Sequence, residues 1–126
     1  MVDITPPPAA GSQVINGYGN GGFRVSNQRY EGALLIFPDR TRAWPVGAFE
    51  DLVLADFEPL RQAEPGVELL VLGTGRSLRR LPMGLEAEIR AWGIRVELMD
   101  TGAACRTYNV LLLEDRRVAA ALLPVA

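Results

Sequence analysis

The spacing of apolar residues along the chain changes near residue 47. Before it, short apolar runs lie at 14–15, 23–25, 31–37 and 40–46, and turn residues such as Asn and Gly separate them. Runs of this length between glycine-rich turns are typical of β-strands. The first third therefore predicts a β-rich N-terminal part.

After residue 47, strand and helix patterns alternate. Residues 67–72 are apolar except for Glu68, as in a strand that is covered on both faces. The remaining segments predict strands at 94–99 and 117–124 and helices at 57–64, 83–92 and 101–113. The resulting β-α-β-α-β order normally folds with parallel strands. We therefore predict an α/β fold in which the strands at 67–72 and 94–99 are near neighbours and run parallel.

The length and composition predict one globular domain. The chain has 126 residues, of which 48% are hydrophobic and 22% are charged. Residues 1–12, with three consecutive prolines at 6–8, predict a flexible leader before a single α/β domain at 13–126. Neither a signal peptide nor a run of about 20 apolar residues is evident, so we expect a soluble, cytoplasmic protein without membrane insertion.

The charged and reactive residues exclude several classes of function. The net charge is −2, which does not favour nucleic-acid binding, and every basic residue is arginine. Because the chain has no histidine, it cannot form Ser-His-Asp or Cys-His sites or the usual zinc sites. With a single cysteine, Cys105, it forms no intrachain disulfide. We therefore expect neither a cofactor nor a metal ion.

Several segments along almost the whole chain, from about residue 14 to residue 124, resemble a known family. They are the strand and glycine turn at 69–75, a C-terminal signature at 93–94, 97–101, 103–111, 114 and 116, and the N-terminal positions 18–19, 22–23, 32, 38 and 44–45. The chain is similar to the small-domain family that includes the mitochondrial complex I assembly factor 3 and the adipogenesis-associated domain proteins.

The resemblance implies a fold and a kind of activity. It implies a three-layer α/β domain with a mixed central sheet. It also implies a family of unsettled biochemical function, in which the mitochondrial relative acts by binding other proteins during assembly of a respiratory complex. The resemblance carries over no catalytic residue to this chain.

Two predicted loops form the candidate ligand site. If the strands at 67–72 and 94–99 are parallel, the loop residues Gly73, Thr74, Gly75 and Arg76 and the residues Asp100, Thr101 and Gly102 follow them at the same edge of the sheet. Ligands of open α/β sheets favour that edge, and a helix N-terminus there favours an anion. The alternative is a pair of tight connections in which glycine only supplies backbone freedom.

Two motif matches at these loops are weak. The first turn lacks the last glycine of a dinucleotide-binding motif, since Leu78 stands there, and the chain has no lysine for a P-loop. The tetrad at 100–103 matches the active-site motif of retroviral-type aspartic proteases, which needs an all-β setting. A helix cap explains Asp100 and Thr101 better.

Cys105 is the one possible reactive thiol. Near a helix start and next to Arg106, its thiolate could be favoured. Its spacing from Tyr108 and Leu112 instead predicts an apolar helix stripe, on which a lone cysteine is a small buried side chain.

These features favour a non-enzymatic protein-interaction or assembly-factor-like module with protein partners. The alternative is a small enzyme or anion-binding domain that uses the crevice between the 73–76 and 100–104 loops. In that alternative Arg76 or Arg80 would hold the anion, and Cys105 or Asp100 would react. Partner identity and oligomeric state stay open at this level.

Overall fold

The computed structural model describes residues 11–126, so the predicted leader at 1–12 lies outside the described residues except for its last two positions. Ser12 already joins the fold, because the Ser26 hydroxyl donates to its carbonyl at 2.9 Å. The elements are β1 (Ile15–Gly19), β2 (Gly22–Val25), β3 (Gln28–Glu31), β4 (Leu34–Phe37), β5 (Arg40–Ala43), α1 (Glu58–Arg61), β6 (Leu69–Gly73), α2 (Leu85–Arg90), β7 (Arg95–Met99), α3 (Thr101–Leu113) and β8 (Val118–Leu122).

A mixed five-stranded sheet forms the centre of the fold, in the order β5-β4-β8-β6-β7. β6 pairs in parallel with both β7 and β8, whereas β4 is antiparallel to β8 and β5. The prediction of neighbouring parallel strands at 67–72 and 94–99 is confirmed, as are the mixed sheet and the α/β class.

Both faces of this sheet are covered, which explains the continuous apolar runs. Alternate side chains point to opposite faces of a strand. In β6, Leu70 and Leu72 pack on the side of α1 and α2, while Leu69 and Val71 pack on the side of α3. The central strand β8 follows the same alternation: Ala119 and Ala121 face α1 and α2, whereas Ala120 faces α3. The layers are therefore α1 and α2, the five-stranded sheet, and α3 with the remaining strands.

The N-terminal part is β-rich as predicted, but its strands belong to two sheets. β1, β2 and β3 form a separate antiparallel sheet. The prediction of one strand at 31–37 is wrong: β3 ends at Glu31, Gly32 takes a positive φ of 79° and turns the chain, and β4 joins the central sheet. Positive φ is readily adopted only by glycine, so this residue permits the change of sheet.

The helices agree with the predicted places but are mostly shorter. The helix expected at 57–64 is a 3₁₀ turn, Leu54–Phe57, followed by α1, whose Pro59 lies in the first turn where proline is tolerated. α2 covers only part of the expected 83–92, because Gly84 precedes it with a φ of 84°. α3 ends at Leu113, as expected. The bounds 13–126 for a single domain stay a prediction.

Candidate functional site

The two predicted loops meet at the carboxyl edge of the central sheet and are hydrogen-bonded to each other. The Thr101 amide donates to the Gly75 carbonyl at 2.8 Å, and the Gly75 amide donates to Thr101 Oγ1 at 2.9 Å. Both of these amides therefore already have acceptors within the chain. The predicted proximity of the loops is present, and the loops hold each other closed.

Two buried threonine hydroxyls complete this closure. Thr101 is fully buried, and its Oγ1 donates to the Leu123 carbonyl at 2.8 Å, which ties the loops to the end of β8. Thr74 is 2% exposed; its hydroxyl donates to the Ser77 carbonyl at 2.7 Å and accepts from the Arg79 amide at 3.1 Å. Each hydroxyl therefore satisfies backbone groups that burial would otherwise leave unpaired.

The glycines at this edge have structural reasons of their own. A Cβ on Gly73 would lie 2.9 Å from Leu122 Cδ2 and 3.1 Å from Thr101 Cα, so no larger side chain fits between β6 and α3. A Cβ on Gly102 would meet the hydroxyl of Tyr18. Gly75 has a φ of 102°, which other residues rarely adopt. Close packing and backbone conformation account for all three positions.

Asp100 caps α3. Its Oδ1 accepts from the Ala103 amide at 2.9 Å, so the cap preferred over a protease role is present. The same carboxylate lies where an anion at the helix N-terminus would lie, and two negative charges would repel each other there. Anion binding by Gly73, Thr74, Gly75, Arg76, Asp100, Thr101 and Gly102 stays a prediction that this geometry does not favour.

Arg79 of the first loop contacts a neighbouring segment. Arg79 forms an exposed ion pair with Glu50 at 2.6 Å, and its guanidinium carbon lies 4.9 Å from the centre of the Phe49 ring. The hydrogen bond from Arg79 also lowers the pKa of Glu50 below its usual value. Arg76 and Arg80 are exposed on the same loop. Arg79 thus attaches the loop to the neighbouring 3₁₀ turn, Phe49–Asp51, on the outside of the fold.

Cys105 lies in the core, as the stripe interpretation predicts. It is 4% exposed and packs in the cluster that contains Ala104 and Tyr108. Burial raises the pKa of its thiol to about 12, against a smaller opposite effect from the charge of Arg106. The thiol is therefore protonated at neutral pH, which disfavours a nucleophile. Its reactivity itself stays a prediction.

Sequence reasoning missed the role of Asn109. Its side-chain amide donates to the Ile15 carbonyl at 2.8 Å, and its Oδ1 accepts from the Ile15 amide at 2.9 Å. One asparagine of α3 thereby pairs with β1 as a neighbouring strand would. The partner is 94 positions away in the chain, so no local pattern reveals it.

A cavity of about 210 Å³ lies at the opposite, amino edge of β6 and β8. Its lining includes apolar Phe37, Pro65 and Val118 beside charged Arg40 and Arg116. Pockets for small molecules generally enclose about 300–1,000 Å³, so this cavity is small for a substrate. Nothing in the sequence pattern pointed to it, because three distant segments build it.

Among residues 11–126, no group of three or more Asp, Glu, Cys or His residues is placed to hold a metal ion. Over the same residues, no helix is long and apolar enough to cross a membrane.

Two large apolar side chains are exposed on the loop between β6 and α2. Leu78 is 64% exposed, and Met83 is fully exposed. A third residue of that loop, Leu81, is partly buried against the core formed with α1 and α2 and anchors the loop from inside. Leu78 and Met83 are thus the two strongly exposed large apolar side chains of this connecting segment.

Comparison with known proteins places the chain in a family. It is 43% identical over 94% of its length to an uncharacterised protein of Rhodobacter capsulatus, of which it covers 90%. It is 36% identical over 98% of its length to the NADH dehydrogenase [ubiquinone] 1 alpha subcomplex assembly factor 3 of Danio rerio. The chain spans 71% of that protein and only 60% of the corresponding mouse protein.

The fold recurs in a solved structure. The crystal structure of a Bartonella henselae protein, described as an outer membrane protein, matches with a TM-score of 0.83 and 36% identity, over 92% of this chain and 98% of that one. The family model described as "Protein of unknown function (DUF498/DUF598)" matches residues 15–123. The assembly factor 3 proteins are named relatives of this chain. The chain therefore belongs to the DUF498/DUF598 family.

Proposed function

We propose that this protein is a non-enzymatic protein-interaction module that acts as an assembly factor. The observation that carries the proposal is the 36% identity to a complex I assembly factor over 98% of the chain. The partners would then be subunits or assembly intermediates of a respiratory NADH dehydrogenase. A cytoplasmic location belongs to the same proposal.

The burial and hydrogen bonding of the candidate reactive groups support an interaction role over an enzymatic one. An enzyme needs an accessible acid, base or nucleophile that converges on a substrate. Here the Thr101 hydroxyl is fully buried and bonded to backbone, the Asp100 carboxylate caps a helix, and the Cys105 thiol is buried. Each group serves the fold, and the adjoining crevice is occupied by the chain itself.

The loop between β6 and α2 is the surface we assign to the partner. Exposed Leu78 and Met83 provide the apolar contacts that most interfaces bury at their centre. Exposed Arg76 and Arg80 lie on the same segment and suit an acidic rim on the partner. The Thr74 and Arg79 bonds hold the base of the loop, so its apolar side chains are presented on a fixed support.

Affinity capture with a surface variant tests this assignment. Tagged wild-type protein, the double variant Leu78→Asp/Met83→Asp and the control Val110→Asp are expressed in the native cell, and captured proteins are quantified by mass spectrometry. Val110 lies on α3 and is 56% exposed, so it is an exposed apolar residue like Leu78 and Met83 but lies outside the loop. We expect the wild type and the control to capture the same NADH dehydrogenase subunits, and the double variant to lose them.

Two results would contradict the proposal. If no respiratory subunit is enriched with wild type over an untagged control, the assembly role fails. If the double variant captures the same subunits as the wild type, the role can stand but the loop is not the contact surface. Circular dichroism of the purified variants confirms that any loss is not unfolding.

A further inference from the structure

The outer edge of β7 is an open strand edge, and its charges match a second copy of itself. β7 is the last strand of the central sheet and pairs only with β6 among residues 11–126. We propose that two copies of this chain associate by antiparallel pairing of their β7 edges, so that one sheet runs through both. This inference goes beyond the proposed function and does not depend on it.

The backbone directions determine which residues can pair. The Arg95 amide donates to the Glu68 carbonyl, and the Met99 carbonyl accepts from the Thr74 amide, so the odd-numbered residues of β7 bond toward β6. Backbone groups alternate in direction along a strand. The amides and carbonyls of Val96 and Leu98 therefore point to the open edge. A second β7 can bond to these groups.

The side chains then select one register. Arg95 and Glu97 share a face of β7, are 74% and 46% exposed, and lie 3.3 Å apart as an ion pair. When the two Val96 residues face each other as the hydrogen-bonded pair, each Arg95 lies directly opposite Glu97 of the other copy. Residues in such a non-hydrogen-bonded pair come within about 4.5 Å between Cα atoms, where opposite charges stabilise the sheet.

The neighbouring registers are unfavourable, which makes the match specific. Shifting the pairing by two residues in one direction places Arg95 opposite Arg95, and shifting it in the other places Glu97 opposite Glu97. Like charges that face each other directly across strands are destabilising. The edge thus attracts a second copy in one arrangement and repels it in the arrangements beside it.

The other strand edges are less suited to this pairing. β5, at the far end of the sheet, carries Arg40 and Arg42 and would bring positive charges together. The edge of β1 is bonded by the side chain of Asn109. β3 carries Arg29 and Glu31 at the same spacing, but its Arg29 is also bonded to the Asn20 carbonyl at 3.0 Å. We therefore assign the contact to β7, the edge strand of the central sheet.

Charge reversal tests the proposal. Arg95→Glu alone, or Glu97→Arg alone, places like charges opposite each other twice in every dimer. We expect each change to raise the dissociation constant of the dimer about tenfold or more, measured by sedimentation equilibrium against the 13.7 kDa of one chain. Mixing the two variants pairs Glu with Arg at every position again, so the mixture should associate as the wild type does.

The matched control is Arg29→Glu, which breaks the ion pair of the same Arg-x-Glu spacing on β3 and should leave association unchanged. A wild type that stays monomeric up to about 1 mM overturns the proposal. Equal association of wild type and both single variants overturns it as well, since the register would then not depend on these charges.

Hydrogen exchange followed by NMR gives a second readout on the unmodified protein. At low concentration the Arg95 and Glu97 amides should be protected by β6, while the Val96 and Leu98 amides exchange rapidly. Raising the concentration should protect Val96 and Leu98. Concentration-independent exchange at these two amides would refute pairing at this edge, whatever other surface brings two copies together.

Discussion

Replacing Thr101 with valine removes one hydroxyl and nearly preserves the shape of the side chain. In the folded protein that hydroxyl accepts from the Gly75 amide at 2.9 Å and donates to the Leu123 carbonyl at 2.8 Å. Thr101 is fully buried, so water does not replace the lost partner freely. The substitution therefore removes the side-chain bonds of Thr101 without leaving a cavity, while the bond from its backbone amide to the Gly75 carbonyl remains.

The expected cost follows from the two groups left behind. A buried donor or acceptor without a partner costs about 1–3 kcal/mol. The Gly75 amide and the Leu123 carbonyl both lose a partner, but Gly75 is only partly buried and contributes less. Thr101→Val should therefore lower the free energy of unfolding by about 3 kcal/mol in total. Thr101→Ser keeps the hydroxyl and removes one buried methyl group, which should cost about 1 kcal/mol.

Urea denaturation followed by tryptophan fluorescence measures both variants, because Trp44 is buried and reports loss of the core. The slope of the transition should be the same for both and for the wild type. If Thr101→Val destabilises no more than Thr101→Ser, the hydroxyl does not hold the loops together and the crevice can open. The reasoning against a ligand site would then fail.

Three further predictions concern the same region. Gly73→Ala should lower the free energy of unfolding by about 2 kcal/mol, because its Cβ would overlap Leu122 and Thr101. The control Gly47→Ala has open space around it and should change the free energy of unfolding by less than about 0.5 kcal/mol. Equal effects of the two variants would contradict the packing argument. The Cys105 thiol should react slowly with a water-soluble alkylating reagent at neutral pH. Burial raises the pKa of this thiol from 9.0 to about 12, so between pH 9 and about pH 12 the unfolded chain loses a proton that the folded chain keeps. The free energy of unfolding of the wild type should therefore fall with rising pH more steeply than that of Cys105→Ala, by up to about 1.4 kcal/mol per pH unit. Identical pH slopes, or stoichiometric labelling within minutes, would show an accessible thiol. NMR titration with phosphate to tens of millimolar should leave the Gly75 and Gly102 amides in place, and a concerted shift of both would restore the anion-binding alternative.

The second half of the fold could be predicted from the sequence because its signals are local. Strand β6 is a continuous apolar run closed by a glycine turn, and the helix that follows β7 begins with a capping aspartate, Asp100. Chain order then requires crossovers, which fixes parallel pairing of β6 with β7. The meeting of the two loops at one edge follows from that topology alone.

The first half could not be assigned to its sheets by the same reasoning. The run at 31–37 has the pattern of one strand, and only tertiary pairing shows that Gly32 divides it between two sheets. Asn109 is a comparable case, because a polar residue within a helix normally bonds locally or to solvent. Here it reaches Ile15 across the fold.

The sequence alone could also not show that the two loops of the candidate site close against each other. Gly73, Gly75 and Gly102 give the same pattern whether glycine admits a ligand or another part of the chain. The distinction rests on where the hydroxyls of Thr74 and Thr101 point, and both point to backbone carbonyls. Sequence reasoning placed the two loops at the same, carboxyl edge of the sheet, where the structure has them, but it left open whether a ligand or the chain itself fills the space between them.

The most direct test of the assembly role is the amount of fully assembled respiratory NADH dehydrogenase in native cells that lack this protein. Blue-native electrophoresis of membranes, stained for NADH oxidation, separates the complete complex from its intermediates. Deletion should reduce the complete complex and leave partial assemblies. Wild-type protein and Val110→Asp should restore it, whereas Leu78→Asp/Met83→Asp should not. An unchanged amount of complete complex after deletion would contradict the assembly-factor proposal.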